Sequence, residues 1–339
     1  MRAAMLTVAL GAASAAYQQV AEVRDRRRFP PPGRLVDIGG RCLHLVDTGE
    51  GGPAVVIIPG LADNVLQWLP VVWELQDQTR ICVYDRAGMG WSDPPWRGKR
   101  TIDGMAADLH DMLTAAGIRP PYILAGHSLG GIIARRFITR YPGSVNGLLL
   151  IDSIHEDQVR QFRWEGWQPA GRSTKEHAVR WQARILGLRR LAATFGLLRG
   201  LDAEITREAP PEFADAARAI ALSASQRRTV VRELYLAMRP MGEPAHLGSL
   251  PLTVLTADRP WPESAAWARI QAELAGLSSN SRHVSTKRAG HHIHLDEPDL
   301  VIEAIRDLAS RCAEPACSAP ALPLADVAQV CSAGPRPGP

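Results

Sequence analysis

Residues 122–131 read YILAGHSLGG, and this stretch decides the fold. Its first four residues suit a buried strand, and the run at 129–141 has the character of a helix. Between them lies Gly126-His127-Ser128-Leu129-Gly130, which has the spacing G-x-S-x-G. A turn this tight between a strand and a helix strains its central residue and needs glycine beside it. The stretch therefore predicts a strand, a sharp turn with Ser128 at its apex, and a helix.

Strand-like and helix-like runs alternate on both sides of this unit. Short apolar runs predict buried strands at residues 54–58, 80–84, 122–125, 145–151 and 252–256. Two earlier runs, at 35–38 and 43–46, predict a β-hairpin, and 281–287 predicts a last strand. Because helical runs separate the later strands, the pattern favours an α/β fold with a doubly wound, mostly parallel sheet.

The alternation stops between about residues 153 and 249, where the sequence has no clear strand pattern. We interpret 153–249 as a helical cap inserted before the last strands, because an insertion of this length is too long for a simple loop. The core then consists of residues 34–152 and 250–311. Residues 312–339 are rich in alanine and proline, which predicts a disordered tail.

Residues 1–33 form a hydrophobic segment followed by a basic linker. The run at 3–16 is apolar apart from Thr7 and Ser14, but it is shorter than the roughly 18 to 20 residues of a membrane-spanning helix. It suits a signal-peptide core, a signal anchor or a lead-in helix. The basic residues that end at Arg28 favour a cytoplasmic face for an anchored chain. Membrane association through the N-terminus, export and a cytoplasmic location therefore stay open.

The composition excludes several classes of protein. A chain that is 46% hydrophobic and 22% charged is globular, and its net charge of +4 is spread over scattered arginines, so we expect no nucleic-acid partner. The five cysteines contain no CxxC pair, which argues against structural zinc. His291, His292 and His294 with Asp296 offer an alternative metal cluster, but a strand-to-helix loop is a poor frame for three converging rings. We expect neither a metal nor a cofactor.

A succession of motifs resembles the α/β-hydrolase superfamily over about residues 35–309. Pro59-Gly60-Leu61 follows a strand, YDRAGMGWS occupies residues 84–92, the turn at Ser128 comes next, and Gly290-His291 follows the last predicted strand. The resemblance implies that Ser128 is a nucleophile. It also implies that His291 is the general base, because a neutral imidazole can take the serine proton.

The acid that should orient His291 has two candidates. Most members of the superfamily carry it after the strand that follows the cap, but the corresponding position here is Pro260, and Asp258 lies two residues early. In an arrangement that resembles the haloalkane dehalogenases, the acid ends the strand before the cap, and Asp152 occupies that place. We favour Asp152 and keep Asp258 as the alternative.

The resemblance also implies an oxyanion hole made of two backbone N–H groups. One belongs to Leu129, directly after the nucleophile, and the other to Leu61. The superfamily usually has His-Gly where this chain has Pro59-Gly60. A backbone donor survives that change, because the side chain at position 59 does not form the hydrogen bond.

These features predict a serine hydrolase that transfers the acyl group of a small, apolar, ester-like substrate to water. One alternative is other chemistry on the same residues, such as carbon–carbon bond hydrolysis, amide hydrolysis or perhydrolysis. A second alternative is a binding protein with a vestigial site, which the intact Ser128 and His291 argue against. Dehalogenase and epoxide hydrolase chemistry is disfavoured, because both need a carboxylate in place of Ser128.

Overall fold

An eight-stranded sheet forms the centre of this computed structural model, which describes residues 2–95, 100–156, 188–197, 208–237, 241–258 and 265–313. The strands are β1 Arg34–Asp37, β2 Cys42–Thr48, β3 Ala54–Ile58, β4 Ile81–Tyr84, β5 Tyr122–His127, β6 Val145–Ile151, β7 Leu252–Ala257 and β8 Ser281–Thr286. Their order is β1-β2-β4-β3-β5-β6-β7-β8. The hairpin β1–β2 and the pair β2–β4 are antiparallel, and every other pairing is parallel, which confirms the predicted sheet.

Helices cover both faces of the sheet because its central strands are apolar on both sides. Every residue of β3, β4 and β5 is buried. In β5, Leu124 packs into the core on one face and Ile123 into the core on the other, as the alternation of side chains along a strand requires. The flanking helices are α2 Leu69–Leu75, α3 Ile102–Ala115 and α4 Leu129–Arg140. This arrangement confirms the doubly wound α/β fold.

The described residues between β6 and β7 form helices and no strand. They are α5 Leu188–Thr194, a 3-10 turn at Pro211–Phe213, α6 Ala214–Ala221 and α7 Ala224–Ala237. Residues 157–187, which include most of the first half of the predicted cap, lie outside the described residues. Helix α7 is joined to the core by Glu233, whose carboxylate accepts hydrogen bonds from Arg86 and Arg100.

Three helices complete the described core after β7. They are α8 Ala265–Ala275, α9 Ile293–Asp296 and α10 Pro298–Ala313. Helix α10 extends two residues beyond the predicted end of the core at residue 311, and it carries Cys312 as a free thiol. The predicted disordered tail from residue 314 onward lies outside the described residues.

The N-terminal segment forms one helix, α1 Arg2–Arg28, which includes the apolar run and the basic residues after it. Its 27 residues give a length of about 40 Å. Among the described residues, no helix combines the length and the apolar character needed to cross a membrane.

Helix α4 begins in direct contact with the end of β3, and this contact depends on Gly130. A Cβ atom at Gly130 would lie 1.9 Å from the carbonyl oxygen of Ile58, a distance that no side chain tolerates. A Cβ atom at Gly104, in the first turn of α3, would lie 3.2 Å from its nearest neighbour, the Thr101 hydroxyl.

We therefore predict that Gly130→Ala lowers the free energy of unfolding by about 1 to 3 kcal/mol or more, because the backbone of β3 or α4 must move. The matched variant Gly104→Ala should change the free energy of unfolding by less than about 1 kcal/mol, because only the Thr101 hydroxyl must shift and alanine favours the helix. Urea unfolding followed by circular dichroism measures both. Equal unfolding midpoints for the two variants would contradict the close packing.

Candidate active site

Ser128 lies between β5 and α4 in a backbone conformation that few residues other than glycine adopt, with φ +50° and ψ −117°. Backbone hydrogen bonds fix it: its N–H donates to the carbonyl of Ile151, and its own carbonyl accepts from the N–H groups of Gly131 and Ile154. The turn requires glycine at position 126, because a Cβ atom there would lie only 2.6 Å from the Cα atom of Gly131. The predicted strand–turn–helix unit is therefore present, with Ser128 at its apex.

His291 lies beside Ser128 and contacts it through one ring nitrogen. Its Nε2 atom is 3.0 Å from Ser128 Oγ, and its Nδ1 atom is 2.7 Å from Asp152 Oδ2. A carboxylate accepts hydrogen bonds, so Nδ1 carries the proton and Nε2 presents its lone pair to the serine hydroxyl. A neutral His291 in this tautomer can accept a proton from Ser128.

Asp152 is fully buried at the end of β6, and both of its carboxylate oxygens are occupied. While Oδ2 accepts from His291, Oδ1 accepts from Trp267 Nε1 at 3.0 Å and from the N–H of Ala257 at 3.1 Å. These donors stabilise the ionised carboxylate and fix its orientation. Asp258 is exposed just beyond the end of β7, where its N–H donates to the carbonyl of Thr286. The structure thus brings Asp152, and not Asp258, to His291.

The two predicted oxyanion donors lie on segments that contact each other. Leu129 is the first residue of α4, and Leu61 is in the loop after β3. The close approach of Gly130 to Ile58 brings the start of α4 against the end of β3, directly before that loop. Neither N–H has a hydrogen-bond partner among the residues that the structure describes. Both groups are therefore available to an acceptor, and their role stays a prediction.

A second carboxylate–imidazole pair, which sequence reasoning missed, lies directly behind His291. His127 Nδ1 is 2.6 Å from Asp63 Oδ2, and His127 Nε2 is 2.9 Å from the backbone carbonyl of His291. Both partners are acceptors, so both nitrogens of His127 must carry protons and the ring is an imidazolium. Burial opposes this charge, but the Asp63 carboxylate outweighs burial and raises the pKa of His127.

The Asp63–His127 pair connects the loop after β3 to the loop that carries His291. Asp63 Oδ2 also accepts the N–H of Gly60 at 2.8 Å. From the other side, Arg86 Nη2 donates to the carbonyl of Gly60 at 2.8 Å and to Glu233 at 2.7 Å. The buried pairs Asp63–His127 and Arg86–Glu233 therefore fix the loop at Gly60. The first pair connects this loop to the His291 loop, and the second connects it to the helical insertion.

The described residues include one group that could hold a metal ion: Asp63, His127 and His294. His294 is buried without a hydrogen-bond partner for either ring nitrogen, and its ring stacks on Trp68 at 3.9 Å. However, the 2.6 Å between Asp63 and His127 is the distance of a charge-assisted hydrogen bond, and both nitrogens of His127 are occupied. The geometry is that of an ion pair.

The histidine cluster considered from the sequence does not converge on one point. Both ring nitrogens of His291 are hydrogen-bonded, to Ser128 and to Asp152. Asp296 accepts the N–H of Gly290 through Oδ2 at 2.8 Å. His291, His292, His294 and Asp296 therefore do not form one metal site in the described structure.

Comparison with known proteins gives matches of different extent. A family model described as alpha/beta hydrolase fold matches residues 53–298. The uncharacterized protein YqjL of Bacillus subtilis is 26% identical over 263 residues, which cover 77% of this chain and 85% of that protein. A putative carbamate hydrolase, RutD, of Escherichia coli is 35% identical over 100 residues, 30% of this chain and 37% of that protein.

Among solved structures, a thermophilic esterase from Thermogutta terrifontis superimposes with a TM-score of 0.57 at 25% identity. The superposition covers 80% of this chain and 94% of the esterase.

The charge on His127 makes a testable contribution to stability. Because the pKa of His127 is raised from 6.5 and that of Asp63 is lowered from 3.8, the Asp63–His127 pair stabilises the fold fully only between these two values. This stabilisation is lost as the pH rises through the raised pKa. We predict that the difference in unfolding free energy between wild type and His127→Gln shrinks over that range. Urea titrations from acid to alkaline pH measure it.

The exposed His246 offers a matched control, and His246→Gln should leave the pH dependence of the wild type unchanged. A wild-type advantage over His127→Gln that is constant with pH would contradict the charged pair.

Proposed function

We propose that this chain is a serine hydrolase. It belongs to the α/β-hydrolase family and is an enzyme of the hydrolase type. It cleaves a small ester-like substrate through an acyl-enzyme on Ser128. The observation that carries this proposal is the unbroken line of hydrogen bonds from Asp152 through His291 to Ser128. Such a line is the usual arrangement of an activated serine nucleophile.

In the proposed mechanism, Ser128 Oγ attacks the substrate carbonyl while His291 Nε2 takes the hydroxyl proton. The resulting imidazolium is stabilised by Asp152, whose charge stays in place because Trp267 and Ala257 bind its other oxygen. His291 then gives the proton to the leaving alkoxide, and the acyl group remains on the serine. A water molecule, deprotonated by the same imidazole, hydrolyses the acyl-enzyme and releases the acid.

The negative charge on the carbonyl oxygen needs donors, and we assign this role to the N–H groups of Leu61 and Leu129. The start of α4 adds the partial positive charge of a helix N-terminus. The buried pairs at Gly60 support this assignment, because they fix the loop that carries Leu61. Donors that are already oriented cost no rearrangement when the charge develops.

The matching proteins support a carbonyl substrate with a heteroatom leaving group. The structure matched at 25% identity is an esterase, and the local match at 35% identity is a putative carbamate hydrolase. The second match favours a carbamate as the second candidate substrate, on which the same residues would act. A panel of p-nitrophenyl esters of increasing acyl length, with p-nitrophenyl carbamates beside them, separates the two classes.

We predict that Ser128→Ala lowers turnover of any accepted ester by several orders of magnitude, because the three residues act as a unit. It should also abolish labelling by a fluorophosphonate probe, which reacts with activated serines. Ser279→Ala, at an exposed serine, is the matched control and should behave as wild type. Equal labelling of wild type and Ser128→Ala would contradict the proposal. The absence of labelling in wild type would favour the alternative that the chain is a binding protein with a vestigial site.

The choice of acid is tested by a pair of isosteric variants. Asp152→Asn should lower kcat by about 10³- to 10⁴-fold with little change in fold, because an amide leaves His291 in the wrong tautomer. Asp258→Asn, at an exposed position, should change kcat by less than about threefold. Steady-state kinetics on one ester, with circular dichroism as the folding control, measures both. A larger loss for Asp258→Asn would reverse the assignment.

A further inference from the structure

Helix α1 directs three of its polar side chains, Gln18, Glu22 and Asp25, toward the protein. Gln18 is almost fully buried, and its Nε2 atom donates to the carbonyl of Leu222 at 2.9 Å. Glu22 accepts the N–H of Ala224 at 2.6 Å, and Asp25 is paired with Arg190. These three side chains therefore attach α1 to the helical insertion between β6 and β7.

The opposite face of α1 combines exposed apolar side chains with arginines. Val20 is 68% exposed and Val23 is 52% exposed. Together with Arg24, Arg27 and Arg28 they line one open groove. An exposed apolar residue alone is ordinary, but here two valines and three arginines line the same open groove.

The neighbouring helix α5 contacts the inward face of α1. Arg190 of α5 is bonded to Gln18 and Asp25 of α1, so the two helices lie side by side. Directly after α5, Phe195 is 71% exposed and Leu197 is 73% exposed. These two apolar side chains therefore lie at the exposed end of α5.

We infer that the outward face of α1 is a docking surface for the surface of an anionic lipid bilayer. Valine side chains suit the depth of the acyl-chain boundary, and arginine side chains reach from there to lipid phosphates. The charge is complementary, because the basic end of α1 would lie against anionic headgroups. The apolar sequence at 3–16 is part of the same helix, and stable attachment to a bilayer needs more than one contribution.

This inference is independent of the proposed reaction. It concerns where the protein is held, and an inactive Ser128→Ala variant should bind the bilayer as wild type does. It also explains why α1 is attached to the insertion by its few polar groups, since those groups would otherwise face the hydrocarbon boundary without partners.

The test is co-sedimentation of the full chain with vesicles of phosphatidylcholine, with or without phosphatidylglycerol. Wild type should bind the anionic vesicles at least about tenfold more strongly, and raised salt should weaken the binding. The apolar variant Val20→Ser/Val23→Ser should lose about tenfold or more. The basic variant Arg24→Gln/Arg27→Gln/Arg28→Gln should lose about 100-fold and lose the dependence on anionic lipid.

Matched controls change the same residue types elsewhere on the surface. Leu35→Ser/Val284→Ser and Arg119→Gln/Arg269→Gln/Arg306→Gln alter exposed positions outside α1 and should bind as wild type does. Unchanged ester turnover shows that each variant is folded.

Three outcomes would overturn the inference. Binding that is equal for wild type and both α1 variants would assign attachment to residues 3–16 alone. Equal binding to neutral and anionic vesicles would remove the role of the arginines. Conversion of a dimer to a monomer by Val20→Ser/Val23→Ser, with vesicle binding unchanged, would make this face a contact between two copies of the chain.

Discussion

The strained backbone at Ser128 is the constraint on which the rest of the site depends. A positive φ at a residue other than glycine costs about 1 to 3 kcal/mol, and it persists only where the surrounding structure enforces it. Here β5 and α4 enforce it from both ends, and glycines at 126 and 130 leave the space for the turn. The result is a serine at the carboxyl edge of a parallel sheet, where the ends of β6 and β7 and the loop after β8 also meet.

Two carboxylate–imidazole pairs lie side by side at this edge, and their chemistry differs because their outer partners differ. In the Asp152–His291 pair the second ring nitrogen faces a hydroxyl, so the ring can stay neutral and accept a proton. In the Asp63–His127 pair the second nitrogen faces a carbonyl, so the ring must be charged and is unable to act as a base. The Asp152–His291 pair suits proton transfer. The Asp63–His127 pair holds the loop that carries His291.

Local sequence predicted the fold and the serine, because the apolar strand, the glycines and the helix are contiguous. The superfamily resemblance is confirmed by the family match, and it identified His291 as a residue near Ser128. Sequence reasoning missed Asp63 and His127 as a pair, since 64 residues separate them and no spacing pattern marks such a contact. Trp267 as a donor to Asp152 was missed for the same reason. The apolar run at 3–16 predicted a hydrophobic segment, but only the contacts of Gln18 show which face of α1 points outward.

The proposed mechanism requires that a covalent acyl group forms on Ser128 during turnover. Rapid acid quenching of the enzyme with a p-nitrophenyl ester, followed by mass spectrometry of its peptides, tests it most directly. We expect one acyl group per chain, on the peptide that contains Ser128, and a burst of p-nitrophenol of the same stoichiometry. Turnover of the ester with no acylated peptide and no burst, or with the acyl group on another residue, would contradict it.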